Sequence, residues 1–170
     1  MAPTPRAAHR LFVGKERHKF ACAHMTVFPD GAKERLHGHN FRVAVALDLR
    51  DLAFERIVDF GRIKRAIEAQ CDAWDERLLL PARCPVLQVV RSDGRELEFV
   101  LCSKRYVVPS DEALLLPIAN VTVELLAELF GGALLERLGG DLAPDVVEGI
   151  EVTVTESDGQ GASWYRSWPE

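Results

Sequence analysis

Apolar residues recur at every second position from residue 41 to 49: Phe41, Val43, Val45, Leu47 and Leu49. That period belongs to a strand with one buried face. Residues 17 to 24 read as a second strand, and Phe28-Pro29-Asp30-Gly31 between the two is turn chemistry, so a long hairpin is expected. The period then changes. Asp59 opens a stretch in which Phe60, Ile63, Ile67, Cys71, Trp74 and Leu78 recur every three or four residues, a helical pattern that Pro81 is expected to end. Residues 86 to 108 read as a further hairpin, residues 86 to 90 with 96 to 101, turning at Ser92-Asp93-Gly94. A second helix is expected over 122 to 138, with Thr122 as its N-cap, Leu125, Leu126, Leu129, Phe130 and Leu134 inward, and Gly131-Gly132 weakening its middle. The last strand runs from 150 to 156. Strands and helices in this order predict an α+β fold: an antiparallel sheet with two helices on one face.

Composition narrows the function without naming it. A length of 170 residues suits one domain, 1–170, and residues 1–8 read as a loose tail without a signal-peptide core. The net charge of −5 argues against broad nucleic-acid contact, and no apolar run approaches the roughly 18 residues of a membrane span. Cys22, Cys71, Cys84 and Cys102 are scattered, a pattern of reduced thiols expected in a cytoplasmic protein.

Histidines carry the chemistry. His37-Gly38-His39 places two imidazoles on one face of an extended strand, and His24 lies on the strand expected to pair with it. Three neutral nitrogen donors without a fourth protein ligand are what catalytic zinc uses, since the open position receives water or substrate. His18 is read as structural. Gly31, then five intervening residues, then His37-Gly38-His39 also fits half of a cupin-like metal motif, but the Glu that motif requires next is replaced by Val43 and Ala44, so that reading fails. In the last strand Glu156 continues the apolar row of Ile150, Val152 and Val154; it is either a solvated strand end or a carboxylate held for a purpose.

Taken together, Phe20-x-Ala-x-His24, His37-Gly38-His39-Asn40-Phe41, Val58-Asp59-Phe60, Val121-Thr122-Val123-Glu124 and Val152-Thr153-Val154-Thr155-Glu156 resemble the 6-pyruvoyl-tetrahydropterin synthase and 6-carboxy-tetrahydropterin synthase family, in its order and over nearly the whole chain. The resemblance implies a tunnelling fold, in which small α+β subunits join into barrels. It implies a homo-oligomer, trimer-based and up to a hexamer, with active sites at subunit contacts. It implies Zn2+ on His24, His37 and His39, a dihydropterin substrate, Glu156 as the carboxylate that grips the pterin ring, and Thr122 and Glu124 as further polar contacts; Thr122 is equally explained by capping.

The departures from the family are informative. Members that make the pyruvoyl or carboxy product carry a Cys shortly before His-Gly-His, whereas residues 31 to 37 here contain no thiol, and Cys22 is a poor substitute. The loop offers Glu34 instead. Glu-x-x-His-Gly-His resembles a subgroup that cleaves dihydroneopterin-type side chains to 6-hydroxymethyl-7,8-dihydropterin; read alone, Glu34 is one more solvated charge. The family's Asp-His pair near the end of the first helix becomes Asp75-Glu76, and all five histidines lie before residue 40. A carbon acid needs a strong base, but a zinc-acidified hydroxyl needs only a carboxylate. The expectation is therefore a zinc-dependent pterin side-chain lyase of retro-aldol type, with Glu34 as base and Asp75 and Glu76 as relay. The alternatives are 6-carboxy-5,6,7,8-tetrahydropterin or 6-pyruvoyl-tetrahydropterin synthesis, and a catalytically inactive pterin- or purine-binding protein. Residues 82–118 have no counterpart with a chemical reading.

Overall fold

The computed structural model describes residues 9–50, 52 and 57–168; the tail expected at 1–8 lies outside them. Strand β3, His37–Leu49, is the spine of the molecule. Its alternating face, Phe41, Val43, Val45, Leu47 and Leu49, is buried throughout. One edge of β3 pairs with two shorter strands in succession, β2 (Lys19–His24) and β1 (His9–Val13), and its other edge pairs with β9 (Val147–Ser157). β10, Gln160–Ser167, closes that side by pairing with β9.

Helix α1 covers Phe60–Trp74, shorter than the pattern predicted. Asp59 caps it as expected, accepting from the amides of Gly61 and Arg62 at 2.7 and 3.3 Å. The helix stops at Trp74 because Asp75 turns extended and Glu76 adopts a left-handed φ of 54°. Leu78 therefore belongs to a strand, β4 (Arg77–Pro81), and Pro81 ends that strand instead of the helix. β4 runs parallel to β2, and β8 (Ala113–Leu116) runs parallel to β4, so the main sheet is mixed where a wholly antiparallel one was expected.

Between β4 and β8 the chain builds a second sheet from β5 (Leu87–Ser92), β6 (Glu96–Leu101) and β7 (Lys104–Pro109), all antiparallel. The hairpin expected at 86 to 101 is thus present, with a third strand added. Cys102 and Ser103 form the β6–β7 turn, both with positive φ (47° and 62°). This sheet has a core of its own, in which Phe99, Leu97 and Leu101 meet Met25, Leu78 and Leu80.

Helix α2 covers Val123–Leu138 and lies beside α1 against β9 and β10. Leu126, Phe130 and Leu134 face inward as expected, whereas Leu125 and Leu129 are half-buried. Thr122 stands at the N-cap position, yet its side chain makes no capping hydrogen bond. Both helices lie over one main core, where Phe20 stacks on Phe41 at 5.1 Å and Trp74 meets Phe20 and Phe130 edge-on, each at 5.4 Å. No helix among the described residues is long and apolar enough to cross a membrane.

Candidate active site

The register of β2 on β3 places His24 directly opposite His37, and Cys22 opposite His39. Since alternate residues share a face, His24, His37 and His39 emerge together at the end of the aromatic core, with Phe41 edge-on to His24 and His39 at 5.7 Å each. Gly38 keeps this pairing close, because a Cβ there would lie 3.0 Å from the Cys22 carbonyl. One ligand atom from each of the three rings lies within 4.8 Å of the others, so they can converge on one ion.

Hydrogen bonds set the ring orientations. The Nδ1 of His37 lies 2.8 Å from the Arg35 carbonyl, and that of His24 lies 3.3 Å from the Val121 carbonyl. Each Nδ1–H donates there, which leaves Nε2 as the lone-pair nitrogen. The Nε2 of His24 is fully buried and has no hydrogen-bond partner among the described residues. A buried nitrogen that gives up hydration and gains no partner is costly unless a ligand completes it. Burial first, then the neighbouring His37 and His39, hold the His24 pKa below its ordinary value, with the Val121 carbonyl opposing, so this ring stays neutral as a metal donor must. The donor set fits zinc, which accepts three imidazoles and keeps a fourth position open.

Two carboxylates approach the histidines. Glu34 Oε2 lies 3.8 Å from His37 Nε2. Its loop is zipped by the Glu34 amide donating to the Thr26 carbonyl at 2.9 Å and the Thr26 amide donating to Glu34 Oε2 at 3.3 Å. Burial works to raise the Glu34 pKa, but bonds from the Thr26 hydroxyl and amide and attraction to His37 and His24 outweigh it, leaving the carboxyl below its ordinary value. Glu156, 17% exposed, lies 4.0 Å from His39 Nε2 and accepts from the Gln160 side chain. It is held in place and not a frayed strand end.

The other expected residues lie elsewhere. Thr122 hydrogen-bonds the Glu124 carboxylate and, with Glu124's own amide, lowers its pKa. Asp75 accepts from the Ala21 amide at 2.6 Å, and the Glu76 amide donates to the Ala21 carbonyl at 2.7 Å. Among the described residues, no hydrogen bond or ion pair joins these four side chains to the three histidines. Cys22 does share the face of His24, but burial, then the charge of Asp75, pushes its thiol up to about 12. No thiolate is available there near neutral pH. Thr26 and Asn120 were not singled out from the sequence, and Val121 entered only as the first residue of a matched motif; Val121 acts through its carbonyl and Thr26 through its amide as well as its hydroxyl. Asn120 acts through its side chain: its amide bonds both the N–H and the carbonyl of Val27 and accepts from the Val121 amide.

A helix-backed sheet that opens three imidazoles and two carboxylates at one end defines a tunnelling-fold protein with a three-histidine centre. The chain belongs to the 6-pyruvoyl tetrahydropterin synthase family, whose model matches residues 13–167. A Methanocaldococcus jannaschii protein provisionally named a 6-carboxy-5,6,7,8-tetrahydropterin synthase is 34% identical over 153 residues, 89% of this chain and 91% of that one. The solved 6-pyruvoyl tetrahydropterin synthase of Plasmodium vivax superimposes with a TM-score of 0.87 at 26% identity, covering 96% of this chain and 100% of that one. That enzyme has also been solved with a glutamate, described as a catalytic residue, replaced by alanine.

Proposed function

We propose that this protein is a zinc-dependent pterin side-chain lyase that converts a dihydroneopterin-type substrate to 6-hydroxymethyl-7,8-dihydropterin, for a folate-like or methanopterin-like cofactor. The observation that carries it is a carboxylate, Glu34, beside three imidazoles, where the thiol of Cys22 on the same face is held protonated. The glutamate replaced in the Plasmodium vivax enzyme supports a catalytic carboxylate in this family.

His24, His37 and His39 would hold the zinc, with the orphaned Nε2 of His24 as one donor. When bound, zinc supplies Lewis acidity to the hydroxyls of the pterin side chain. Glu156 accepts two parallel N–H bonds from the ring's amide and amino groups and so orients the side chain toward Glu34. Glu34, kept ionised, takes the proton from the hydroxyl of the second side-chain carbon. The O–H electrons form the carbonyl of the departing aldehyde, and the bond between the first and second side-chain carbons breaks. Its electrons move into the ring imine. The proton then returns to the first side-chain carbon, leaving a hydroxymethyl group on the ring. A carboxylate suffices because the acid is a polarised hydroxyl; a carbon acid would need a stronger base.

Thr122 and Glu124, one and three residues past Val121, whose carbonyl orients His24, would extend the polar side of the pocket. Asp75 and Glu76 are exposed and bonded to Ala21, so a relay role for them requires a neighbouring copy that brings them to its own histidines. A trimer-based homo-oligomer with sites at subunit contacts meets that requirement.

The name of the 34%-identical relative favours a second reading, 6-carboxy-tetrahydropterin synthesis. Against it stands the lack of an ionised thiol for carbon-acid chemistry. Incubation of the zinc-loaded protein with dihydroneopterin and its phosphates decides between them. 6-Hydroxymethyl-7,8-dihydropterin should appear, and Glu34→Gln should slow its formation at least about 100-fold, within the usual contribution of a general base, with zinc content unchanged. A carboxy product would support the second reading. Tight pterin binding with every side chain intact would mean a binding protein.

A further inference from the structure

The reaction as drawn leaves the three-stranded sheet without a task, and a half-buried lysine beside Glu34 without one. Lys33 makes three contacts that belong to three parts of the molecule. Its ammonium lies 5.3 Å from the centroid of the Tyr106 ring on β7. It donates to Met25 Sδ at 3.3 Å, one residue past His24, and to the carbonyl of Glu34 at 2.9 Å. Among the described residues it has no carboxylate partner. Lysine ordinarily extends its ammonium into water, whereas this one is half-buried and turned onto protein contacts that are individually modest.

Tyr106 is a firm platform. It stacks on Phe99 at 5.0 Å with 11° between the planes, and Phe99 is completely buried in the core that the small sheet shares with Met25, Leu78 and Leu80. On the far side of the loop, Asn120 holds both backbone groups of Val27, and Val27 bridges to Lys33. Residues 26–27 and 33–34 are thus gripped from two directions, and the carboxylate between them ends 3.8 Å from His37.

We infer that Lys33, seated on Tyr106, is a positioning residue for Glu34, and that the β5–β6–β7 sheet is the scaffold of that clamp. The inference rests on the reading of Glu34 as base, but the clamp itself can be observed without turnover. Removing the cation or the ring should let Glu34 wander while the histidines and Glu156 stay in place. Such a change lowers kcat and leaves KM and the metal alone, because binding and proton transfer depend on different side chains.

The test uses the zinc-loaded full chain and four variants: Lys33→Met, Tyr106→Leu, the pair together, and Tyr106→Phe, which keeps the ring. Lys33→Met and Tyr106→Leu should each lower kcat by roughly ten-fold, the scale of a small misplacement of a reacting group. KM and zinc content should hold, the pair should be no worse than either alone, and Tyr106→Phe should restore the wild-type rate. Amide hydrogen exchange at Glu34 should quicken in Lys33→Met and Tyr106→Leu by about ten-fold, as local opening becomes easier. Unchanged exchange and kcat in Lys33→Met would overturn the inference. So would losses that multiply in the pair, or faster exchange with kcat within two-fold while Glu34→Gln is inactive. If Glu34→Gln turns over normally, the reading of the base fails; faster exchange in Lys33→Met would then still establish the clamp, without its catalytic purpose.

Discussion

At the scale of single residues, two buried histidines, one just before β2 and one at its far end, do different work. Among the described residues neither ring's Nε2 has a hydrogen-bond partner, but that of His24 faces two other imidazoles. His18 faces protein: its Nδ1 accepts from the Lys15 amide at 3.3 Å, and its Nε2 lies 3.6 Å from Glu68 on α1. Burial depresses the His18 pKa more than Glu68 raises it, with Arg17 and Lys15 adding to the depression. The sign follows from linkage. Above the unfolded value of about 6.5, both states are neutral and stability does not depend on this group. As pH falls below that value, the unfolded chain gains a proton that the folded one refuses, and stability drops until the lower folded pKa is passed. Urea midpoints measured from pH 8 to 5 should therefore fall below about pH 6.5, and His18→Gln should reduce the fall. Equal slopes in the two proteins would remove His18 from the acid response. The sequence set His18 apart from the triad, but its partner Glu68 was not legible, since that contact depends on how α1 lies over β2.

Elements differ in how plainly the sequence announces them. β3 was legible because one of its faces is apolar from Phe41 to Leu49 and packs into the main core. The run from Leu78 to Pro81 was misread because Leu78 happens to fall four residues after Trp74, and a strand buried on both faces has no alternation to betray it. β10 was missed for the opposite reason: an edge strand with few buried positions has too little apolar content to stand out. Its Trp164 nevertheless explains the glycine pair in α2. A Cβ on Gly131 would stand 2.3 Å from the Trp164 ring, whereas one on Gly132 would meet nothing within 4 Å. Gly131 is thus the seat of an indole, and Gly132 is only a weak helix former. Gly131→Ala should destabilise by about 1–3 kcal/mol through overpacking, despite a better helix propensity. Gly132→Ala should stabilise by up to about 1 kcal/mol. Chemical denaturation of both variants checks the contrast; equal effects would mean that Trp164 does not rest on α2.

For the whole molecule, the family and the tunnelling fold were readable because five short motifs fall in order around one histidine pair. Glu156 was singled out from the last of those motifs and Glu34 from its spacing to His37, and both lie within 4.0 Å of a histidine of the triad. Asp75 and Glu76 were assigned on sequence position alone, and within one subunit the Asp75 carboxylate and the Glu76 amide bond the backbone of Ala21 on β2. What no motif could convey is the second sheet, which joins the chain's least recognisable segment to the loop that carries Glu34. X-ray absorption at the zinc edge of the reconstituted protein bears most directly on the centre itself. One zinc per chain with three imidazole nitrogens at about 2.0–2.1 Å and one light oxygen neighbour is expected, and His24→Ala should abolish stoichiometric binding. A sulfur neighbour, four protein ligands, or zinc retained in full by His24→Ala would contradict a three-histidine site with an open position.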